Sequence, residues 1–140
     1  MSTELSLGQD LYQIGRLPAL AQFHVTRRVA PILANMGVSV IDSLRPTGKL
    51  SEDDMVSVMG TAAEVVSKMT DTDVNYVIFT CLSVVRKKQE SVWAAVVNGQ
   101  QFMFQDMDMQ LMMKLTVAVL KENLSGFFQQ PTAASGTSNG

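Results

Sequence analysis

The sequence predicts a mainly helical α+β domain with about four amphipathic helices and two β-hairpins. Apolar residues recur at helical spacing over four stretches, and two other stretches favour strands around tight turns. In addition, 46% of the 140 residues are hydrophobic, which is enough to fill one core. A chain of this length forms one domain rather than two. We expect that globular domain at 1–128, followed by a disordered tail at 129–140, where the residues are small, polar and uncharged.

The N-terminal element is predicted to be a β-hairpin. Leu5 and Leu7 precede the turn signal Gly8-Gln9-Asp10, and the residues from Leu11 to Ile14 follow it. Short apolar runs on both sides of a glycine-containing turn are typical of two strands that pair with each other.

The first helix is predicted at 18–36. Pro18 suits its first turn, because the N–H that proline lacks would be unpaired there anyway. Pro31 removes a hydrogen bond and clashes with the preceding turn, so we expect a kink or a break near residue 30. The apolar residues assigned to one face of this helix are Leu20, Phe23, Val29 (or Ala30), Leu33 and Met36.

Two further helices are predicted at 51–69 and 72–88. Ser51 can accept a backbone N–H of the first turn, and the three carboxylates after it suit the positive end of the helix dipole. The run Asp71-Thr72-Asp73 caps the next helix in the same way. We expect Arg86-Lys87-Lys88 to close that helix at the negative end of its dipole.

A second hairpin is predicted near 92–104. The residues from Val92 to Val97 favour a strand, and Gln101 to Phe104 would form the returning strand. Asn98-Gly99 is the strongest two-residue hairpin signal, because a type I′ turn needs positive φ at both positions.

The last helix is predicted at 107–124. Asp106 or Asp108 can cap its first turn, since a carboxylate accepts the free backbone N–H groups there. Gly126 follows the last periodic residues, as glycine often does where a helix ends.

The low charge content and the acidic net charge argue against several classes of protein. Charged residues make up 17% of the chain and the net charge is −2, whereas an ordinary soluble domain is about 25% charged. Nucleic-acid-binding domains usually show a basic excess. No stretch approaches the roughly 18 apolar residues of a membrane-spanning helix, and the start shows no signal peptide. A surface covered by a partner or by another copy fits this composition, because large bare apolar patches are rare on monomers.

Catalysis and metal binding have few candidate residues. The chain has one histidine, His24, and one cysteine, Cys81. Most structural zinc sites need four Cys or His ligands, and a Cys–His pair would still need an orienting group and an oxyanion-binding loop. The sequence also lacks both common glycine motifs for phosphate binding. We therefore expect no catalytic residue, no metal and no cofactor.

Methionine supplies a candidate partner-binding surface. The chain has 10 methionines, and this flexible, polarizable side chain fills irregular cores but also lines surfaces that accept varied apolar partners. Burial in the protein's own core is the more common role, and both roles stay open here. The candidate partner-binding residues are Met107, Met109, Met112, Met113, Phe127, Phe128, Trp93 and Phe102.

Two runs of the sequence resemble a known family. The run from Gly15 to Ala34 is similar to the N-terminal signature of small tail assembly chaperones of long-tailed bacteriophages and prophages. The run from Leu120 to Phe128 is similar to the end of the same proteins. The resemblance spans residues 4–128, and these two runs are its distinctive parts.

The resemblance implies a non-enzymatic role in virion assembly, in the cytoplasm of the host cell. Such proteins coat the tape measure protein, a very long helical chain, before tail tube subunits polymerise around it. Many are also made as a longer, frameshifted form whose extra domain contacts the tail tube protein, so that protein is a second partner to consider. The composition is also compatible with a homo-oligomer.

Two other functions stay open from the sequence. A small structural tail or adaptor component would remain in the finished virion, whereas a chaperone would be lost from it. A nucleic-acid-binding regulator would use the clusters Arg27-Arg28 and Arg86-Lys87-Lys88, and its binding would weaken steeply with salt. The acidic net charge makes this second alternative the weaker one, and an enzyme ranks last.

Overall fold

The structure, a computed structural model, describes the backbone of residues 3–36 and 52–137 and the side chains of residues 3–35 and 59–123. The described part is an antiparallel sheet packed on helices, which confirms the mainly helical α+β class. Its elements in chain order are β1 (Thr3–Leu7), β2 (Asp10–Ile14), α1 (Ala19–Met36), α2 (Glu52–Ser67), α3 (Asp71–Leu82), β3 (Val85–Gln89), β4 (Val92–Ala95), β5 (Val97–Asn98), β6 (Gln101–Phe102) and α4 (Met109–Thr137).

The main sheet has four strands in the order β1-β2-β3-β4, and every neighbouring pair is antiparallel. Successive side chains of a strand point to opposite faces. The inner face of this sheet packs against the helices, and the outer face stays open to solvent. Residues that the inner face buries in the common core include Leu5, Tyr12, Ile14 and Val85.

The predicted N-terminal hairpin is confirmed. Leu7 lies opposite Asp10 in the β1–β2 ladder, so Gly8 and Gln9 form a two-residue loop. Gly8 has a φ of 64°, a left-handed conformation that glycine adopts without a steric penalty.

Helix α1 buries a different face from the predicted one. Val25, Val29 and Leu33 are buried, whereas Leu20 is 68% exposed and Phe23 is 58% exposed. Leu20 and Val29 are nine residues apart, which is about 180° around a helix with 3.6 residues per turn. The assignment of Leu20 and Phe23 to the inner face is therefore wrong.

Helix α1 also continues through Pro31, so the chain does not break near residue 30, and the alternative, a kink there, stays a prediction. Pro31 is exposed. The carbonyl group that loses its partner there can bond to water instead, which lowers the penalty of a proline within the helix.

The predicted helix at 72–88 is wrong in its second half. Helix α3 ends at Leu82, and Val85 to Gln89 form strand β3 between β2 and β4. Burial alternates along this strand, with Lys87 buried and Arg86 and Lys88 exposed. The basic run Arg86-Lys87-Lys88, predicted to close the helix, is instead divided between the two faces of the sheet. The backbone hydrogen bonds of β3 with both β2 and β4 outweigh the favourable interaction of positive side chains with a helix C-terminus.

The residues of the second predicted hairpin belong to two separate pairs of strands, rather than to one pair. Strand β4 pairs with β3 through the loop Glu90-Ser91, and β5 pairs with β6 through the loop Gly99-Gln100. Gly99 has a φ of 63°, but Asn98 does not have a positive φ. Asn98-Gly99 is therefore not the type I′ loop that the sequence predicts, and the turn lies one residue later.

The helix caps agree in part with the predictions. Asp108 caps α4, because its Oδ1 accepts the N–H of Leu111 at 2.8 Å. Thr70 caps α3, and the predicted capping residues follow it in the first turn. The predicted cap at Ser51 lies outside the described residues. Helix α4 continues to Thr137 rather than ending at 124, and the disordered state of the tail at 129–140 stays a prediction.

Candidate binding surface

Residues 102–109 run from the last residue of β6 to the first residue of α4 and carry exposed apolar side chains beside the exposed polar residues Gln105, Asp106 and Asp108. Phe102 is 38% exposed, Met103 is 52% exposed and Met109 is 76% exposed. Large apolar side chains grouped on a surface are a typical mark of a binding site. We refer to residues 102–109 below as the apolar segment.

The predicted partner-binding residues divide between this surface and the core. Phe102 and Met109 lie on the surface, and Met107 and Met112 pack partly buried against the core. Met113 lines a small apolar pocket of about 50 Å³ among α1, α2, α3 and α4.

The remaining members of the predicted set lie elsewhere. Trp93 is half-buried on the outer face of the sheet. The side chains of Phe127 and Phe128 lie outside the described ones. The sequence analysis missed Met103, which directly follows β6 and is exposed. It also missed Leu20 and Phe23, which a stricter test of helical period separates from Val29.

The apolar segment is held to the domain by contacts at both of its ends. At its start, the ring of Phe102 packs against Phe79 of α3, with centroids 5.2 Å apart. The N–H of Met103 donates to the carbonyl oxygen of Val96 at 2.9 Å. At its end, Asp108 caps α4. The exposed side chains are therefore presented by a backbone that is fixed on two sides.

Lys87 holds the middle of the apolar segment from within the fold. Its side chain is almost fully buried, and its Nζ lies 3.0 Å from Asp106 Oδ2 and 3.8 Å from Asp10 Oδ2. The same ammonium group lies 4.7 Å from the ring centroid of Phe104. A buried charge needs such partners, because burial without them is strongly unfavourable. Lys87 thus links β3 to Asp10, the first residue of β2, and to the apolar segment.

Tyr12 lies beside this charge cluster. Burial, together with the nearby carboxylates of Asp10, Asp106 and Asp108, raises the pKa of Tyr12 to about 12. Each of these effects disfavours the negatively charged phenolate. The phenol therefore stays neutral to a higher pH than that of an ordinary tyrosine does.

Asn123 joins the start of α1 to α4. Its Oδ1 accepts the N–H of Leu17 at 2.8 Å and Nε2 of Gln22 at 3.2 Å. Its Nδ2 donates to the carbonyl oxygens of Gly15 at 3.2 Å and Val119 at 2.9 Å. One buried amide therefore satisfies groups from two segments that are more than 100 residues apart in the chain.

The family model for the phage tail assembly chaperone protein, TAC, matches residues 8–136. This chain belongs to that family. No curated protein and no solved structure matches the chain.

The contacts of Asn123 join the two runs of sequence in which the resemblance to these chaperones was noted. Gly15 and Leu17 open one run, and Asn123 lies within the other. Gly15 is further constrained, because a Cβ there would lie 2.9 Å from the carbonyl oxygen of Val84. The two runs of this phage tail assembly chaperone form one junction in the folded domain.

His24 and Cys81 lie in different environments in this chaperone. The Nδ1 of His24 accepts a hydrogen bond from Arg27 Nε at 3.1 Å, and its ring makes edge contacts with the rings of Phe23 and Tyr76, with centroids 5.4 Å and 6.4 Å away. Cys81 is fully buried, and burial raises the pKa of its thiol, which disfavours the reactive thiolate. Among the described residues, no group of three or more His, Cys, Asp or Glu could hold a metal ion.

One further finding concerns membranes. Within residues 3–36 and 52–137, no helix is both long and apolar enough to cross a bilayer.

Proposed function

We propose that this tail assembly chaperone binds and solubilises the tape measure protein in the host cytoplasm, without catalysis, before the tail tube is built. Membership of the chaperone family supports the assembly role. The observation that supports binding of a long helical chain is the apolar segment, whose Met103 and Met109 are exposed on a fixed backbone.

Methionine suits this task for a physical reason. Its unbranched, polarizable side chain adapts to apolar partners of different shape. An amphipathic helix binds a surface through apolar side chains that recur every three or four residues. A long helical partner repeats such faces many times, so an adaptable surface can bind at several places along it.

We assign binding to those predicted residues that are exposed, and we add Met103 to them. Met109, Phe102 and Met103 are available to a partner, whereas Met112 and Met113 support the helical core. We keep Phe127 and Phe128 as proposed binding residues on the strength of the sequence alone. The tail tube protein and a second copy of the chain remain proposed additional partners.

The proposal is tested by co-expression with the tape measure protein of the same phage. We expect wild-type chaperone to raise the soluble yield of that protein and to co-elute with it on a sizing column. The double variant Met103→Asp/Met109→Asp should lose both effects, because each carboxylate would be desolvated at the interface.

A matched control is available on the same molecule. The double variant Leu20→Asp/Phe23→Asp places the same charges on two equally exposed apolar positions of α1 and should keep the wild-type activity. Circular dichroism would check that both double variants are folded. If wild-type chain neither raises the yield nor co-elutes, the proposal fails, and persistence of the chain in purified virions would then support a structural tail component.

A further inference from the structure

A polar cleft lies between the N-terminal hairpin and the start of α4. Its volume is about 290 Å³, and none of its lining residues lines the apolar pocket at Met113. The β1–β2 hairpin forms one side of the cleft, and residues between 106 and 114 form the other. The polar and charged residues that line it are Asp10, Tyr12, Asp106, Asp108, Gln110 and Lys114. We call Asp10, Asp106 and Asp108 the cleft carboxylates.

The hydroxyl of Tyr12 needs a partner from this cleft. Tyr12 is only 1% exposed, and within residues 3–35 and 59–123 its hydroxyl makes no hydrogen bond. Every fully buried side-chain N or O atom of the described residues has a hydrogen-bond partner. The oxygen of Tyr12 must therefore reach the surface, and the surface that Tyr12 lines is the cleft. An unsatisfied polar group that is almost buried is unfavourable, so an occupant that donates a hydrogen bond there is stabilised.

The cleft carries more negative than positive charge. Its three carboxylates face two ammonium groups, that of Lys114 at the rim and that of the buried Lys87 behind Asp106. The start of α4 adds partial positive charge, which its cap Asp108 offsets. The pKa of Tyr12 is consistent with this balance, because burial and then the cleft carboxylates raise it. A cation is therefore favoured as the occupant.

The cleft carboxylates can accept further hydrogen bonds. Asp106 uses Oδ2 to bind Lys87, and Asp108 uses Oδ1 to cap α4, but an ionised carboxylate offers about four acceptor positions on its two oxygens. The side chains of Asp10 and Asp106 are 45% and 56% exposed. In the part of the chain that the structure describes, acidic groups do not come together in a way that could hold a metal ion. A larger cation can instead contact these carboxylates separately.

We propose that this cleft binds the guanidinium group of an arginine side chain from a protein partner. A guanidinium group is flat, always charged and carries five N–H donors, so it can pair with the cleft carboxylates while it donates to the hydroxyl of Tyr12. A lysine ammonium has three donors on a single atom and reaches fewer of these acceptors at once. This inference rests on the proposed function for the identity of the partner, which is the tape measure protein.

The test titrates the full, isotopically labelled chain with short peptides and follows backbone amide shifts by NMR. The first peptide is acetylated, amidated and carries a single arginine between glycines. A second peptide has citrulline in its place, which keeps the shape without the charge, and a third has lysine. We expect saturable shifts at Gly8, Asp10 and Leu111 with the arginine peptide, weaker binding of the lysine peptide and no saturable shift with the citrulline peptide.

Two variants with matched controls test the residues of the cleft. Tyr12→Phe removes a hydroxyl without an internal partner and should weaken binding of the arginine peptide about tenfold, since a hydrogen bond to a charged group contributes roughly that much. Asp10→Asn should weaken it about threefold, as loss of an exposed ion pair does. The controls are Tyr76→Phe, which changes the other tyrosine of the chain, and Glu4→Gln, which neutralises an exposed carboxylate of β1. Both controls should bind as wild type does, and circular dichroism would check that every variant is folded.

Several results would overturn the inference. Equal shifts with the arginine and citrulline peptides, or shifts confined to other parts of the domain, would mean that the cleft is not a cation site. Wild-type affinity of folded Tyr12→Phe would mean that the hydroxyl does not take part, and equal affinity for the lysine peptide would mean that the site does not select guanidinium. The titration contains no tape measure protein, so its failure leaves the proposed function standing, whereas the co-expression experiment tests that function separately.

Discussion

The two faces of the sheet use neighbouring lysines of one strand in opposite ways. Lys87 points inward, is almost fully buried and lies 3.0 Å from Asp106. Lys88 points outward and is exposed, and its Nζ lies 5.8 Å from the ring centroid of Trp93. Because side chains alternate along a strand, one position separates a charge that holds the fold together from a charge that is available to a partner.

Lys87→Glu should show the largest difference between the two faces. A carboxylate at this buried position would face Asp106 and Asp10, so we expect a loss of about 3 kcal/mol in the free energy of unfolding. The matched variant Lys88→Glu should change it by no more than about 0.5 kcal/mol. Urea denaturation of both variants measures the difference, and equal losses would mean that the two lysines are not in different environments.

Alkaline unfolding should reveal Tyr12 on the inner face. The pKa of Tyr12 is raised to about 12 in the folded protein, against about 10 in an unfolded chain. The raised pKa contributes stability that is complete below about pH 10 and is lost as the pH rises towards 12. This contribution is on the order of 2 kcal/mol.

Tyr12→Phe is the control for that measurement. The variant lacks the titrating phenol, so its stability should fall less than that of wild type between about pH 10 and about pH 12. Chemical denaturation at several pH values would compare the two proteins. Parallel curves over this range would show that Tyr12 titrates normally.

Asp106→Asn should have a smaller effect than the charge reversal at Lys87. The amide keeps the shape of the side chain but loses the charge that pairs with Lys87 at 3.0 Å. The Asp106 side chain is about half exposed, so solvent already screens this pair, and we expect a loss of about 1 kcal/mol. Thermal unfolding would measure it, and a gain in stability would show that the carboxylates of this cluster repel one another more than they attract Lys87.

Glu90→Gly should give a small gain. Glu90 begins the loop between β3 and β4 with a φ of 58°, and glycine occupies the same place in the other two hairpin loops, at Gly8 and Gly99. Relief of this conformation should add about 0.5–1 kcal/mol to the stability of the hairpin that carries Lys88 and Trp93. A melting temperature that is unchanged or lower would mean that the larger backbone freedom of glycine in the unfolded chain outweighs the relief.

Local signals in the sequence predicted the elements that depend little on contacts with residues far away in the chain. The hairpin at Gly8, the cap at Asp108 and helix α1 depend on neighbours within a few residues, and the structure contains all three. The strand at Val85 to Gln89 depends on β2, more than 70 residues earlier in the chain, so a local pattern could not reveal it. The same limit applied to the candidate site, where Met109 and Met113 share one residue type but not one environment.

The sequence by itself determined the class of fold, the lack of an obvious catalytic constellation among its motifs and the likeness to tail assembly chaperones. Composition, periodicity and short motifs carry that information because they act locally or as averages over the chain. Tertiary structure alone decided which methionines are exposed, which of three adjacent cations is buried, and that Asn123 joins Gly15 and Leu17 to α4. Burial and pairing are properties of neighbours in space, and those neighbours are chosen only when distant segments pack together.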